Sequence, residues 1–233
     1  MALLATKAGA KKVIAVEIDK LVAQTTQNAI AMNKFRDKMS LLIEDAQTCV
    51  FPKNLKFNIV ISEMLTTGMV DESQIRAINN LHINNNINNS TIFLPCRQDT
   101  FVTLSNANFT FFGVKLPIIL HLWKWHNWSK LKLKKMTSQL VLNSICFNQK
   151  NQEKFKATLD FEVKKSGVIN SLYLSSRTFL TDKIFIGDTE ALNAPMLIPV
   201  SERPVKKGDK IKLDISYIFG NGYEKFNAKF IVK

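Results

Sequence analysis

The stretch Phe57-Asn58-Ile59-Val60-Ile61-Ser62-Glu63-Met64-Leu65 decides how this chain is read. Phe57 to Ile61 has strand character, and it runs directly into Ser62-Glu63. A second acid, Glu72, follows on the same segment. Upstream, another apolar run, Val13 to Val16, ends alike in Glu17-Ile18-Asp19. Asp19 suits an N-cap for a helix over 20–33. Leu21, Val22, Thr25, Ala29, Ile30 and Met32 give that helix a mostly apolar face. Leu41 to Ile43 form a third short strand, ending at Glu44-Asp45-Ala46. Strands alternating with helices argue for a parallel sheet. Acids at the carboxyl ends of its strands fall where such sheets bind ligands.

Working outward, residues 2–8 read as the tail of a helix stopped at Gly9. Pro52 marks a loop, Asp71-Glu72 begin a helix reaching about Leu81, and Asn84 to Asn89 is a polar loop. The pattern changes near Pro95. From Phe101 onward strand-type runs dominate, at 101–104, 109–114, 130–133, 138–147, 155–163, 168–174, 196–200, 210–218 and 225–232. Lys207-Gly208-Asp209 and Asn221-Gly222 are turn signals between them. The expected architecture is thus α/β followed by β: a Rossmann-like domain over 1–96 and an antiparallel β-barrel or sandwich over 97–233.

With 233 residues and 46% hydrophobic content, the chain has enough apolar surface for a real core. Its net charge of +13 is uneven. Residues 1–97 hold 11 Lys+Arg against 8 Asp+Glu, whereas 98–233 hold 21 against 11. A basic second half could attract nucleic acid, acidic proteins or anionic membrane, and a plain solvated surface is the favoured reading. Trp123-Lys124-Trp125-His126-Asn127-Trp128 interleaves aromatics with cations, which can stack bases; packing or a partner interface is the preferred reading. Cys49, Cys96 and Cys146 are odd in number and have no metal spacing, so a reducing, cytoplasmic setting is expected. His82, His121 and His126 show neither metal spacing nor a nucleophile partner, so no metal is expected. The apolar start is too short for a membrane span, and no membrane partner is expected.

Two stretches resemble the class I S-adenosylmethionine-dependent methyltransferases, within them the protein arginine methyltransferase-like group. They are Ala5-Thr6-Lys7-Ala8-Gly9-Ala10-Lys11-Lys12-Val13-Ile14-Ala15-Val16-Glu17 and Ile59-Val60-Ile61-Ser62-Glu63-Met64. The order of parts agrees, and Pro204-Val205-Lys206-Lys207-Gly208-Asp209-Lys210-Ile211 looks like the family's late barrel hairpin. The resemblance implies S-adenosyl-L-methionine as cofactor, with Glu17 on its ribose. Ile18 and Ser62 join that site, and Asp45, Ala46 and Gln47 frame the adenine. Glu63 and Glu72 match the family's paired glutamates, which hold a guanidinium by charge-assisted hydrogen bonds. A protein substrate methylated on nitrogen, with arginine as the candidate acceptor, and a homodimer follow as expectations.

Departures accompany the resemblance. No glycine-rich loop occurs, and the loop with its preceding strand would lie before Met1, so a truncated gene product is expected. Thr66-Thr67-Gly68 replaces bulkier aromatic loop residues. The family's Thr-His-Trp loop finds its counterpart at Asn193-Ala194-Pro195, which has neither His nor Trp. The alternative expectation is a catalytically inactive remnant that binds protein or nucleic acid.

Overall fold

The structure, a computed structural model, describes residues 1–123, 128–188 and 193–231. The Lys124–Asn127 part of the tryptophan-rich segment lies outside the described residues. The chain forms two compact units, one of residues 1–61 with 76–93, the other of 62–75 with 94–231 and the chain end.

In the first unit α1 (Ala2–Lys7) precedes β1 (Val13–Val16), α2 (Lys20–Met32), β2 (Met39–Leu42) and β3 (Ile59–Ile61). β1 and β2 pair in parallel, Val13 against Met39 through Val16 against Leu42. The crossover is α2, which begins where expected because Asp19 Oδ1 accepts the Leu21 and Val22 amides at 2.8 and 2.9 Å. Such a cap contributes about 1 kcal/mol. Ala23 and Ile30 are the buried positions of α2. α3 (Gln74–Ile83) starts later than Asp71-Glu72, so Glu72 belongs to the loop before it. β4 (Ile92–Leu94) pairs with β3.

The second unit holds the long strands. β5 (Arg97–Asn106) is followed by the hairpin β6 (Thr110–Phe111) and β7 (Val114–Lys115), then β8 (Leu120–His121), β9 (Lys134–Lys135) and β10 (Leu140–Cys146). β11 (Lys154–Glu162), β12 (Gly167–Phe179), β13 (Phe185–Ile186), β14 (Met196–Val205), β15 (Lys210–Ile218) and β16 (Asn227–Ile231) complete it. One antiparallel sheet runs β10-β5-β12-β14-β8, with β13 on β12 and β9 on β5. A second runs β11-β15-β16. The strand-rich second half is therefore present as two sheets, and among the described residues their pairings do not close into a barrel.

Strand alternation explains the packing. Along β15, Ile211, Leu213, Ile215 and Tyr217 are buried while Lys210 and Lys212 face out. Each such apolar burial contributes roughly 1.5–3 kcal/mol. In the larger sheet Val102, Leu104, Leu172, Leu174, Met196 and Leu197 are buried to the same degree. One expectation fails locally. Residues 130–133 are no strand, because Trp128–Leu131 forms a 3₁₀ turn and Lys132 takes a φ of 46°. The alternation of lysine and leucine there reflects one buried and one exposed side, a pattern a turn can share.

Candidate functional site

The segment that decided the fold also carries the site. Residues 62–75 leave the first unit and belong to the second. Glu63 is held from both sides by one buried amide. Ser62 Oγ and the Met64 N–H each donate to Gln74 Oε1 at 2.9 Å. Gln74 is fully buried, so this fixes the backbone on either side of Glu63. Ser62, expected at the cofactor, thus has its hydroxyl engaged by Gln74.

Beyond Glu63 the loop is pinned residue by residue. Gln98 Nε2 donates to Thr66 O at 3.2 Å, and Thr67 Oγ1 to Ala194 O at 2.8 Å. Gly68 has φ +76° and sits against Val70 and Leu174, which accounts for a glycine there in place of a bulkier residue. Tyr217 donates from its hydroxyl to Gly68 O at 3.1 Å. The turn after β15 contributes two further bonds, Gly220 N–H to Met69 O and Gly222 N–H to Val70 O, both 3.0 Å. In this way the C-terminal strands grip the acid-bearing loop.

A cavity of about 390 Å³ opens on this loop, lined by Glu63, Leu65, Thr66, Thr67, Asp71, Glu72, His121, Trp123 and Ala194. The structure therefore brings together Glu63 and Glu72, as the sequence suggested, and adds a third acid, Asp71. Among the described residues no lysine or arginine lines the cavity, although the chain carries +13. Neither glutamate pairs with a lysine or arginine among the described residues. Loss of water and then the charge of Glu72 push the Glu63 carboxyl above its ordinary range, even though the residue as a whole is exposed. Desolvation followed by Asp71 does the same to Glu72.

Asp71 is differently placed, because its oxygens are already occupied. Thr66 Oγ1 donates to Asp71 Oδ1 at 2.6 Å, and the Tyr223 hydroxyl to Oδ2 at 3.3 Å. The tyrosine oxygen also lies 3.1 Å from His121 Nε2. A hydroxyl donates once, so a proton on His121 Nε2 completes the chain. Burial, then Asp71, pushes the Tyr223 phenol well above its ordinary value. His121 stacks on Trp123 with 6.0 Å between ring centroids.

His121 and Trp123 were missed in the sequence because they sit on the wrong segment. Asn193-Ala194-Pro195 supplies Ala194 to the cavity wall, and β8 pairs beside it, Met196 against His121. A histidine and a tryptophan thus reach the cavity from a neighbouring strand. The signal available in the sequence was the His121-Leu122-Trp123 alternation, which places both rings on one side of a strand.

The remaining candidates lie in the first unit. Glu17 follows β1 directly, its N–H donating to Leu42 O at 3.0 Å, so it shares the carboxyl end of the parallel pair with the residues after β2. Its Oε1 accepts the Asp19 amide at 2.9 Å. Ile18 beside it is 66% exposed. Asp45 closes a tight turn: Oδ1 accepts the Gln47 N–H at 2.8 Å and Oδ2 the Gln47 side-chain amide at 3.3 Å. The Ala46 carbonyl accepts from Asn80. Among the described residues there is no cluster suited to a metal ion, and no helix is long and apolar enough to cross a membrane.

Comparison with known proteins gives distant likenesses. No protein-family model matches the chain. An uncharacterized protein of Methanocaldococcus jannaschii is 25% identical over 228 residues, covering 98% of this chain and 81% of that protein. An uncharacterized protein of Methanothermobacter thermautotrophicus is 25% identical over 229 residues, covering 95% and 79%. Among solved structures, a chain of the Trypanosoma brucei PRMT1 enzyme-prozyme heterotetrameric complex with AdoHcy superposes with a TM-score of 0.70 at 13% identity, covering 98% of this chain and 84% of that one. At that identity the likeness is one of fold.

Proposed function

We propose that this protein is an S-adenosylmethionine-dependent methyltransferase acting on a cationic nitrogen of a protein substrate, arginine being the best-fitting acceptor. The observation that carries the proposal is the cavity in which Glu63 and Glu72 stand together with no lysine or arginine among its described lining residues, in a strongly basic chain. Two carboxylates held by a rigid loop can take a guanidinium in paired, charge-assisted hydrogen bonds. Their raised proton affinity comes first from loss of water and then from a neighbouring acid, Glu72 for Glu63 and Asp71 for Glu72, and a bound cation relieves it. Asp71, tied to Thr66 and Tyr223, shapes the loop and adds negative potential. Alignment of the acceptor nitrogen by Glu63 and Glu72 would supply much of the rate.

For the methyl donor, the first unit has a fitting donor set. Glu17 keeps one carboxylate oxygen for vicinal ribose hydroxyls after Oε1 takes the Asp19 amide. The exposed Ile18 side chain offers an apolar surface for a purine, and Ala46 with Gln47 the polar edge beyond it. Asp45 serves this arrangement by shaping the turn. The cofactor would supply an activated methyl group on a sulfonium. The shared fold with a chain solved with AdoHcy supports this reading.

Calorimetric titration of the chain with S-adenosylhomocysteine, with Glu17→Ala as control, tests the donor half. Micromolar binding lost in the variant is expected. Absence of binding by the folded protein overturns the proposal and leaves a binding module built on the strand-rich unit.

A further inference from the structure

A second feature of the strand-rich unit belongs to no part of this chemistry. The β6–β7 hairpin pairs Phe111 with Val114 across a two-residue turn, Phe112-Gly113. Both turn residues have positive φ, 52° and 80°. Such turns favour Asn or Gly at the first position, and a bulky aromatic there is strained. Phe112 gains no packing in return, being 105% exposed. Val114, Leu116 and Ile118 continue the exposed apolar edge at 55%, 42% and 49%. A strained, unpacked aromatic at the tip of a hairpin is an outlier that stability does not explain.

The base of this hairpin is well anchored. Ala107, Phe109, Leu131 and Leu197 form a buried cluster, with Phe111, Leu120, Trp128 and Leu133 packed against it. Asn108 N–H donates to Leu131 O, which ties the hairpin root to the turn over 128–131. Because Leu131 is buried there and Leu133 half-buried, Lys130, Lys132 and Lys134 are left exposed. The composition is extreme: residues 100–152 contain seven lysines and no aspartate or glutamate.

We propose that this hairpin is a wedge that docks on an anionic lipid surface, Phe112 and the adjoining aliphatic side chains entering the interface while the lysines meet acidic headgroups. Charge complementarity selects this occupant, since lysines near an acidic leaflet are attracted while the apolar tip is desolvated. Size agrees. Four partly exposed side chains offer on the order of 400 Å², about half of what each partner buries in a stable protein interface.

Cosedimentation of the full chain with phosphatidylcholine vesicles, with and without about a third phosphatidylglycerol, is the test. Pelleting with the anionic vesicles, weakened by salt and with affinity reduced about tenfold by Phe112→Asp and about a hundredfold by joint Lys130→Glu, Lys132→Glu and Lys134→Glu, is expected. Phe112→Asp removes no buried contact and Asp tolerates a positive φ better, so its thermal midpoint should match or exceed the parent's and the loss cannot be misfolding. A parent chain that stays in the supernatant overturns the proposal, as does Phe112→Asp pelleting like the parent. A Phe112-dependent dimer in light scattering, or Phe112-dependent RNA binding, without vesicle binding also overturns it and gives the hairpin to a second copy or to nucleic acid.

Discussion

Replacing Gly220 by alanine should injure the acid-bearing loop from the far end of the sequence. A Cβ there would lie 2.9 Å from Ser73 Cα and 3.0 Å from Glu72 O, backbone atoms that cannot rotate away. The residue also sits at φ +68°, a conformation that costs an L-residue roughly 1–2 kcal/mol. Gly208 is the built-in control, with φ +95° and no atom within 4 Å of the place a Cβ would take. Gly208→Ala should therefore cost about 1 kcal/mol, and Gly220→Ala about 2–4, because overpacking adds about 1–3. The readout is urea unfolding followed by tryptophan fluorescence, since Trp123, Trp125 and Trp128 all belong to the strand-rich half. At a slope of about 2 kcal/mol per molar urea, the two midpoints should differ by about 1 M. Equal midpoints would refute the claim that this turn is pressed against residues 72 and 73.

The other expectations concern the same cavity. Glu63→Gln should abolish methyl transfer while leaving S-adenosylhomocysteine binding intact; retained turnover in a radiolabel assay sinks the role of Glu63. Activity should fall as pH drops through a value above the ordinary carboxylate range, because both glutamates must ionise and both are shifted upward. The same upward shift means the folded state holds the Glu63 proton more tightly than the unfolded one. Its contribution to stability is full below about pH 4 and lost as pH rises through the folded value. Glu63→Gln should accordingly raise the thermal midpoint at neutral pH and not at pH 4; a neutral-pH loss contradicts this. Tyr217→Phe strands Asn143 Nδ2, 2.7 Å from the hydroxyl, and the Gly68 carbonyl, and should cost about 1–3 kcal/mol in chemical denaturation. Gln74→Leu removes the shared acceptor of Ser62 and Met64 and should depress kcat more than Tm, checked by steady-state kinetics beside a melting curve.

The parts legible in the sequence were those governed by local rules. Asp19 was readable as a cap because a helix start needs an acceptor for its free amides, and α2 begins one residue later. The long strands were visible through alternation, as along β15. That Glu63 and Glu72 line one cavity was readable because both stand on one short segment. Features set by distant contacts were less so. His121 enters the cavity through strand pairing with Met196, and no spacing within the chain announces that. The role of Gln74 depends on full burial, which its polar side chain conceals. Lys130-Leu131-Lys132-Leu133 looked like a strand because a turn with one buried side produces the same alternation.

The grip on the loop has a consequence for how the protein is made. Tyr217 reaches back 149 residues to Gly68, and Thr67 waits 127 residues for the Ala194 carbonyl. During synthesis the segment with Glu63 and Glu72 leaves the ribosome long before Ala194 and β15, which complete the hold on it. Contacts so distant in sequence form late and slowly, because a large loop must close first. The acids of the cavity are then among the last groups to be set in place, after β15 has docked on their loop.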